Sequence, residues 1–264
     1  MRESMLDPSG EGWEAAGHAD PTAWLAIAGR LGAALLLAIF LFLLVRGLLR
    51  HRRYRAADAL EPSDMAAIRS ALADAERRTV GEILPVVVER SDRHPGAAWL
   101  SSLVVVLLGS AVLAPWLPWD RPVVLLAAQA ILGAAGYGLA VLLPGYRRAF
   151  VSEARATEMA EEQAFQEFYR YGLHRTEGRT GVLLFVSLFE HRTVVVADEG
   201  IDACVEPDRW SGTVRAVLDG IAAGSLRSGL LAGVASAAEV LAAHFPWSEG
   251  DRNEIPERVI VREE

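Results

Sequence analysis

Three long apolar runs dominate the pattern of hydrophobic and polar residues along the chain. They cover residues 23–45, 98–117 and 122–143, and Arg30 is the only charged residue within them. Because a helix rises about 1.5 Å per residue, a run of about 20 apolar residues can cross a hydrocarbon core of about 30 Å. The pattern predicts three transmembrane helices, and the short segment 118–121 makes the last two a helical hairpin.

The first apolar run has a second possible interpretation, a secretory signal peptide. Residues 1–22 are acidic, the run is longer than the apolar part of a signal peptide, and arginines follow it where a small-residue cleavage site would lie. We therefore predict a retained anchor helix at 23–45 behind an acidic N-terminal tail.

Arginines are concentrated on one side of the predicted spans. They follow the first and third spans and precede the second: Arg46, Arg50, Arg52, Arg53, Arg55, Arg90, Arg93, Arg147 and Arg148. Cytoplasmic loops carry an excess of positive charge, so this distribution predicts a multi-pass protein of the inner (plasma) membrane. The N-terminus and the hairpin tip are then outside, while the basic linker 46–61 and the later soluble segments are cytoplasmic.

Residues 62–97 have the pattern of the first part of a soluble domain. A helix is predicted to begin at Pro62 and end at Gly81, with apolar positions at helical spacing at Met65, Ile68, Leu72 and Ala75. The apolar run 82–89 is typical of a strand covered on both faces, although Pro85 argues against a central position in a sheet.

The second part of the domain, 144–247, begins with a long helix predicted over 149–173. Its expected buried stripe consists of Phe150, Ala154, Phe165, Phe168, Tyr169 and Leu173. Its expected solvated face consists of Glu153, Glu158, Glu161, Glu162 and Glu167. Residues 182–188 and 193–197 follow as two strands, and the short turn between them predicts an antiparallel hairpin.

Two helices are predicted after these strands, over 211–222 and 229–245. The second is expected to pack on the sheet, with a fourth membrane span as the alternative. The charged C-terminal tail 248–264 is expected to be mobile, with a short edge strand at 259–261. Strands with helices on both faces predict an α/β fold, an α/β/α sandwich split by the transmembrane hairpin.

Composition excludes several classes of function. The net charge of −8 and the pI of about 5.4 argue against a nucleic-acid partner. The sequence contains no lysine, which excludes the standard P-loop, protein-kinase and pyridoxal-phosphate sites. Cys204 is the only cysteine, so no intrachain disulfide or cysteine-based zinc site can form.

Local motifs resemble one known family. The run 75–83 (AERRTVGEI) resembles the opening of the TPM domain, and 176–201 resembles its second half, in which two strands lead into an acidic loop with glycine. Trp210, the pair Gly229-Leu230 and the run 244–246 follow in family order. The resemblance covers about 62–89 and 150–246. It departs from the usual family pattern by the inserted hairpin and by the predicted cytoplasmic location.

Members of the TPM family have been described as phosphatases, as calcium-binding domains and as accessory factors for membrane complexes. The resemblance therefore implies a fold and leaves these functions open.

The acidic loop after the third strand is the main candidate for a site. Asp198, Glu199 and Asp202, together with Glu82, offer the oxygen ligands that Ca²⁺ or Mg²⁺ prefers. The alternative is a solvated turn in which Gly200 supplies a positive φ. Arg179 is a candidate anion ligand, and Thr79 a candidate for orienting the site or for a buried junction between helix and strand.

Other polar residues are expected to be structural. The histidines lack metal-ligand spacing, and Ser187 lies in a strand without the context of a catalytic nucleophile. Trp210 is expected to anchor the core or an interface.

Two functions follow. The first is a membrane accessory protein, embedded in the lipid bilayer, whose cytoplasmic domain binds or stabilises another membrane protein or complex during assembly, repair or scaffolding. The alternative is a metal-dependent phosphatase, in which Asp198, Glu199 and Glu82 hold the cation and Arg179 receives phosphate.

Overall fold

The structure is a computed structural model of the chain. It describes four continuous parts of the sequence: 59–114, 120–223, 225–249 and 252–263. Within the predicted first span it describes six helical residues: Ala34, Ala38, Leu41, Phe42, Leu44 and Val45. The predicted acidic tail, the rest of the anchor helix, most of the basic linker and the hairpin tip at 115–119 lie outside the described residues.

A mixed four-stranded sheet forms the centre of the soluble part. Its strands are β1 (Glu82–Val88), β2 (Gly181–Ser187), β3 (Arg192–Ala197) and β4 (Ile260–Arg262), in the order β3-β2-β1-β4. β1 is parallel to both β2 and β4, whereas β3 is antiparallel to β2. The predicted antiparallel hairpin and the predicted edge strand near the C-terminus are confirmed.

Pro85 lies in the centre of β1 without breaking a ladder. Glu82 donates its N–H to Thr180 on the β2 side, and Glu89 donates its N–H to Arg262 on the β4 side. Since successive residues of a strand alternate in direction, the missing N–H of Pro85 would point towards β4. β4 pairs with β1 only from Val86 onward, so the proline costs no hydrogen bond in the sheet.

Besides this sheet, the described part of the chain contains six helices of more than one turn. They are α1 (Pro62–Glu76), α2 (Pro95–Leu113), α3 (Pro122–Leu142), α4 (Glu153–Arg170), α5 (Trp210–Ala223) and α6 (Leu226–His244). α1 ends before Gly81, the predicted end. Gly81 instead allows the chain to pack closely against α6, because a Cβ at this position would lie 2.9 Å from Leu241.

Helices cover both faces of the sheet. On one face, Ile83 and Val87 of β1 pack in a core with residues of α1, α5 and α6, which includes Trp210 as predicted. On the other face, Leu84 and Val86 of β1 pack against residues of α4. The alternation of strand side chains between two apolar layers explains the continuous apolar runs in the sequence.

Three helices in the described part of the chain are long and apolar enough to span a membrane: α2, α3 and α6. In α6, 44% of the most apolar window is buried, compared with 22% in α2 and 11% in α3. α6 contacts α1, α5 and β1, as predicted for a helix that packs on the sheet. α2 and α3 contact each other and leave most of their apolar surface uncovered.

The hairpin helices approach each other through small residues. A Cβ on Gly109 would meet Leu132, and one on Gly136 would meet Val105 and the Ser101 carbonyl. Ser101 donates to the Gly136 carbonyl at 2.8 Å, and Ser102 donates to the Gly133 carbonyl at 2.9 Å. Small residues and inter-helix hydrogen bonds of this kind are typical of helices packed within a membrane.

α4 begins later than predicted and buries a different set of residues. It starts at Glu153 because Ser152 caps it, accepting a hydrogen bond from the Arg155 N–H. Its buried positions are Ala156, Met159, Ala160, Ala164, Glu167 and Phe168. The small alanines let the helix lie close to the sheet, while Phe165 and Tyr169, predicted to be buried, are 54% and 62% exposed.

Glu167 lies in the core layer and not on the predicted solvated face. It is 0% exposed and its Oε1 accepts hydrogen bonds from Gln163 at 2.7 Å, from Arg170 at 3.1 Å and from Arg262 at 2.5 Å. Arg262 belongs to β4, so this carboxylate attaches the C-terminal edge strand to α4. The segment 252–263, predicted to be mobile, is part of the folded domain.

Candidate functional site

The two ends of the strands differ in the groups that they could offer a ligand. Ligands of open α/β sheets usually bind at the carboxyl ends of the parallel strands. In β1 and β2 these ends are Val88 and Ser187. β3 runs antiparallel, so its carboxyl end, and with it Asp198, lies beside Gly181 at the opposite edge. The predicted acidic loop is therefore at the amino ends of the parallel strands.

Asp198 has two structural partners, and both contact the same carboxylate oxygen. It is 4% exposed, its Oδ1 accepts a 2.9 Å hydrogen bond from the Glu199 N–H, and the Arg179 guanidinium lies 3.7 Å from the same oxygen. Gly200 has an ordinary φ, and a Cβ there would lie 2.3 Å from the Gly178 carbonyl. The glycine is thus needed for a close backbone approach and not for the positive φ expected in a turn.

The remaining predicted ligands lie in different environments. Glu199 and Asp202 are exposed residues. The carboxyl group of Asp202 is partly shielded from solvent and lies near the negative charge of Asp198, and both effects raise its pKa. Glu82 is 5% exposed, and its Oε1 accepts a 2.9 Å hydrogen bond from the Glu254 N–H. In the described part of the chain, no group of three or more His, Cys, Asp or Glu residues is arranged to hold a metal ion. The Ca²⁺ or Mg²⁺ site stays a prediction.

Thr79 lies in a buried junction, the structural alternative to a ligand role. Its hydroxyl donates to the Phe245 carbonyl at 2.6 Å and accepts from the Gly81 N–H at 3.1 Å. These bonds attach the entrance of β1 to the end of α6.

Beside Thr79 and Glu82, a cavity of about 240 Å³ holds three glutamates. Asn253 donates to Glu76 at 2.8 Å and to Glu257 at 3.2 Å. Burial, a hydrogen bond with the Glu257 carboxyl group and repulsion from Glu257 and Glu82 raise the pKa of Glu76 to about 8. Asn253 thereby attaches the C-terminal segment to α1.

A buried polar cluster that the sequence pattern did not predict lies at the carboxyl edge of the parallel strands. Glu190 is 0% exposed, Ser187 is 1% exposed and His94 is 4% exposed. One oxygen of Glu190 contacts His94 Nε2 at 2.6 Å, and the other accepts from the Ser187 hydroxyl and, at 3.0 Å, from the Ser91 N–H. Burial alone would raise the pKa of Glu190, but these hydrogen bonds and the charge of His94 hold it below the usual range.

This cluster lies where both ends of the α2–α3 hairpin meet the sheet. His94 immediately precedes α2, adopts a left-handed φ of 44° and stacks on Phe189. At the other end, Arg148 follows α3 and donates to the Glu190 carbonyl at 3.4 Å. Glu190 thus connects the β2–β3 turn with both segments that lead into the hairpin.

Arg147 closes the same junction from the end of α3. It is 8% exposed and donates to the carbonyls of Ala140 at 2.7 Å and Val141 at 3.2 Å, which have no helical partner at a helix end. A third bond, at 3.1 Å, reaches the Arg93 carbonyl in the segment before α2. One guanidinium therefore caps α3 and joins the two ends of the hairpin.

The order of these groups does not suit nucleophilic catalysis. The Ser187 hydroxyl contacts a carboxylate, and the imidazole lies on the far side of that carboxylate. A serine nucleophile needs a base such as histidine in direct contact. The cluster instead holds a buried charge with three donors. Its only sequence signal was the concentration of Ser91, Asp92 and His94 between a strand and an apolar run.

Known proteins offer little similarity to set beside this geometry. The sequence matches no family model and none of the curated proteins. Among solved structures it is similar to the NMR structure of the BA42 protein from the psychrophilic bacterium Bizionia argentinensis. That match has a TM-score of 0.49 and 20% identity, and it covers 77% of this chain and 94% of that chain. Membership of the TPM family stays an expectation from the sequence motifs.

Replacing Glu190 by glutamine should destabilise the protein. Its two oxygens accept three hydrogen bonds, and an amide leaves at least one buried donor unsatisfied, at a cost of about 2–4 kcal/mol. Thermal unfolding of the full-length protein in detergent measures this. Glu153→Gln, which removes an exposed partner of Arg148, is the control and should cost below about 1 kcal/mol.

The loss from Glu190→Gln should also depend on pH. Because the pKa of Glu190 is depressed in the folded protein, its contribution is complete above the usual pKa of glutamate and is lost as pH falls through the lower, folded value. The difference in unfolding temperature between wild type and variant should therefore shrink below about pH 4. A difference that stays constant or grows in acid would contradict a buried carboxylate held by donors.

Replacing Glu76 by glutamine should have the opposite pH dependence. A raised pKa means that the stabilising contribution is complete in acid and is lost as pH rises towards about 8. Glu76→Gln should therefore gain stability relative to wild type as pH rises from 4.5 to about 8, measured by thermal unfolding, and the gain should level off above that pH. Asp74→Asn, an exposed change on the same helix, is the control. A gain that does not change over this range would show that Glu76 does not carry the proton.

Proposed function

We propose that the protein is an integral membrane accessory protein whose α/β domain is held at the bilayer surface and docks another membrane-associated protein. The observation that carries this proposal is the apolar surface of the α2–α3 hairpin. Its outward side chains are 54–79% exposed: Trp99, Leu103, Leu107, Val123, Leu126, Ile131 and Leu142. A patch of this extent is unfavourable in water and favourable in hydrocarbon.

Inside the hairpin, polar groups are turned away from lipid. The hydroxyls of Ser101 and Ser102 donate to backbone carbonyls of the opposite helix. Such bonding removes the cost of placing a hydroxyl in hydrocarbon. It supports a hairpin that crosses the bilayer within a multi-pass protein.

The junction supports a docking role for the domain. Arg147 and the Glu190 cluster attach both ends of the hairpin to the carboxyl edge of the sheet. The domain is thereby fixed in orientation above the membrane, and buried contacts occupy part of the edge where α/β enzymes usually bind substrate. The arginines beside the junction favour a cytoplasmic location for the domain.

The exposed face of α4 is the proposed docking surface. Phe165 and Tyr169 lie one turn apart and expose more than half of their surface. Glu158, Glu161 and Glu162 are exposed on the same helix. Exposed aromatic residues are enriched where proteins bind one another, and the acidic surroundings favour a partner with apolar and basic side chains.

The alternative, a metal-dependent phosphatase, has less support. It requires Asp198, Glu199 and Glu82 to converge around a cation, with Arg179 ready for phosphate. Asp198 instead pairs with Arg179 and caps a helical turn, while Glu82 accepts a hydrogen bond from the C-terminal segment.

Site-specific photo-crosslinking in native membranes tests the proposal. A photoreactive phenylalanine analogue at Phe165 should give one adduct of defined mass, and Tyr169→Glu should abolish it by placing charge in the contact. The same analogue at Asp219, exposed on α5, is the control and should give none. Equal adducts at both positions, or divalent-dependent phosphate release that Asp198→Ala abolishes, would contradict the accessory role.

A further inference from the structure

A cavity of about 470 Å³ opens between the start of α2 and the start of α4. Its lining divides by chemistry. The soluble domain contributes polar residues and the hairpin side contributes apolar ones: Asp92, Ser152 and Arg155, and Gly96, Leu100 and Phe150. The cavity therefore has a charged wall and an apolar wall that meet at the junction.

The position of α2 places this cavity at the level of lipid headgroups. α2 has 19 residues and is about 28 Å long, so nearly its whole length is needed to cross a hydrocarbon core of about 30 Å. The cavity is lined by its first two turns. Trp99, which is 66% exposed and packs on Tyr137, lies in the same turns, where interfacial aromatic residues are expected.

The polar wall presents both signs of charge. Arg155 Nη2 lies 3.8 Å from Asp92 Oδ2, too far for a direct hydrogen bond, and both side chains reach solvent. Arg155 also bonds Glu158 at 3.0 Å, and Asp92 lies 3.5 Å from His94 Nδ1. Arg155 belongs to the first turn of α4, where the helix dipole also favours an anion.

We infer that this cavity binds the headgroup of a zwitterionic phospholipid from the surrounding bilayer. The phosphate lies against Arg155 and the first turn of α4, and the ammonium group lies against Asp92. An acyl chain follows Leu100 along α2. This inference rests on the proposed function, because it requires the hairpin to lie in the membrane.

The charges also indicate which headgroup fits. Asp92 at the cavity disfavours a lipid with a net negative charge. A primary ammonium donates hydrogen bonds to a carboxylate, whereas a quaternary ammonium cannot. The cavity should therefore prefer phosphatidylethanolamine to phosphatidylcholine and to phosphatidylglycerol.

Gly96 provides a way to fill the cavity without disturbing the core. A Cβ on Gly96 would meet nothing within 4 Å, and this residue lines the cavity. Gly138 of α3 also has open space around its Cβ position but lies away from the cavity. Gly96→Leu and Gly138→Leu are thus a matched pair, both at helical positions of the hairpin.

Native mass spectrometry of the delipidated full-length protein in detergent, titrated with each phospholipid, measures the bound fraction. Wild type and Gly138→Leu should bind one phosphatidylethanolamine, and Gly96→Leu should bind none. Arg155→Gln and Asp92→Asn should each weaken binding about tenfold, the effect of one charged hydrogen bond. Asp120→Asn and Arg121→Gln, the same changes at the other end of the hairpin, should leave binding unchanged.

Equal binding of phosphatidylethanolamine by Gly96→Leu and wild type would overturn the inference. Free phosphoethanolamine binding as tightly as the lipid would also overturn it, since the ligand would then be soluble. Thermal unfolding of every variant separates loss of binding from loss of folding. If Gly96→Leu stays in the membrane fraction and no variant changes binding, the cavity inference fails while the membrane-anchored function stands. Wild type that is extracted from membranes by carbonate would contradict both.

Discussion

The insertion of two apolar helices after β1 constrains the rest of the structure. The chain leaves the sheet at its carboxyl edge after Val88 and returns to that edge through Arg147 and Arg148. Polar backbone at the ends of both helices must find partners beside a medium without water. The guanidinium of Arg147 binds carbonyls at the end of α3, and the carboxylate of Glu190 binds the Ser91 N–H and the His94 ring in the segment before α2. A buried carboxylate is costly unless several donors surround it, as they do here.

The position of this junction determines where the molecule can bind anything. The carboxyl edge of the parallel strands, which commonly holds ligands in α/β folds, is partly filled by Ser187, Glu190 and His94. Around it, the cavity between α2 and α4, a cavity lined by residues 90–93 and Gln163, and the aromatic face of α4 remain open. Open surfaces of this kind agree with an accessory role better than with an enclosed active site.

Elements that depend on periodicity could be predicted from the sequence, and individual side-chain environments could not. The apolar runs and the strand pattern predicted both hairpins, the helix on the sheet and the edge strand. The buried stripe of α4 was predicted correctly at Phe168 and wrongly at Phe165, because apolarity alone does not show that alanines such as Ala160 face the sheet while Phe165 faces out. Glu190 was missed because a carboxylate in a strand turn is usually solvated, whereas here it is buried and contacts His94 before the inserted hairpin.

Labelling of single cysteines tests the crossing of the bilayer by the hairpin most directly. Cys204 is the only cysteine of the chain and is exposed on the soluble domain. In intact cells a membrane-impermeant maleimide should fail to label Cys204, and it should label Asp120→Cys, made with Cys204→Ala, at the hairpin tip. Opening the membrane should make Cys204 reactive. Labelling of both positions from the same side would contradict the account, because the hairpin would not then cross the membrane.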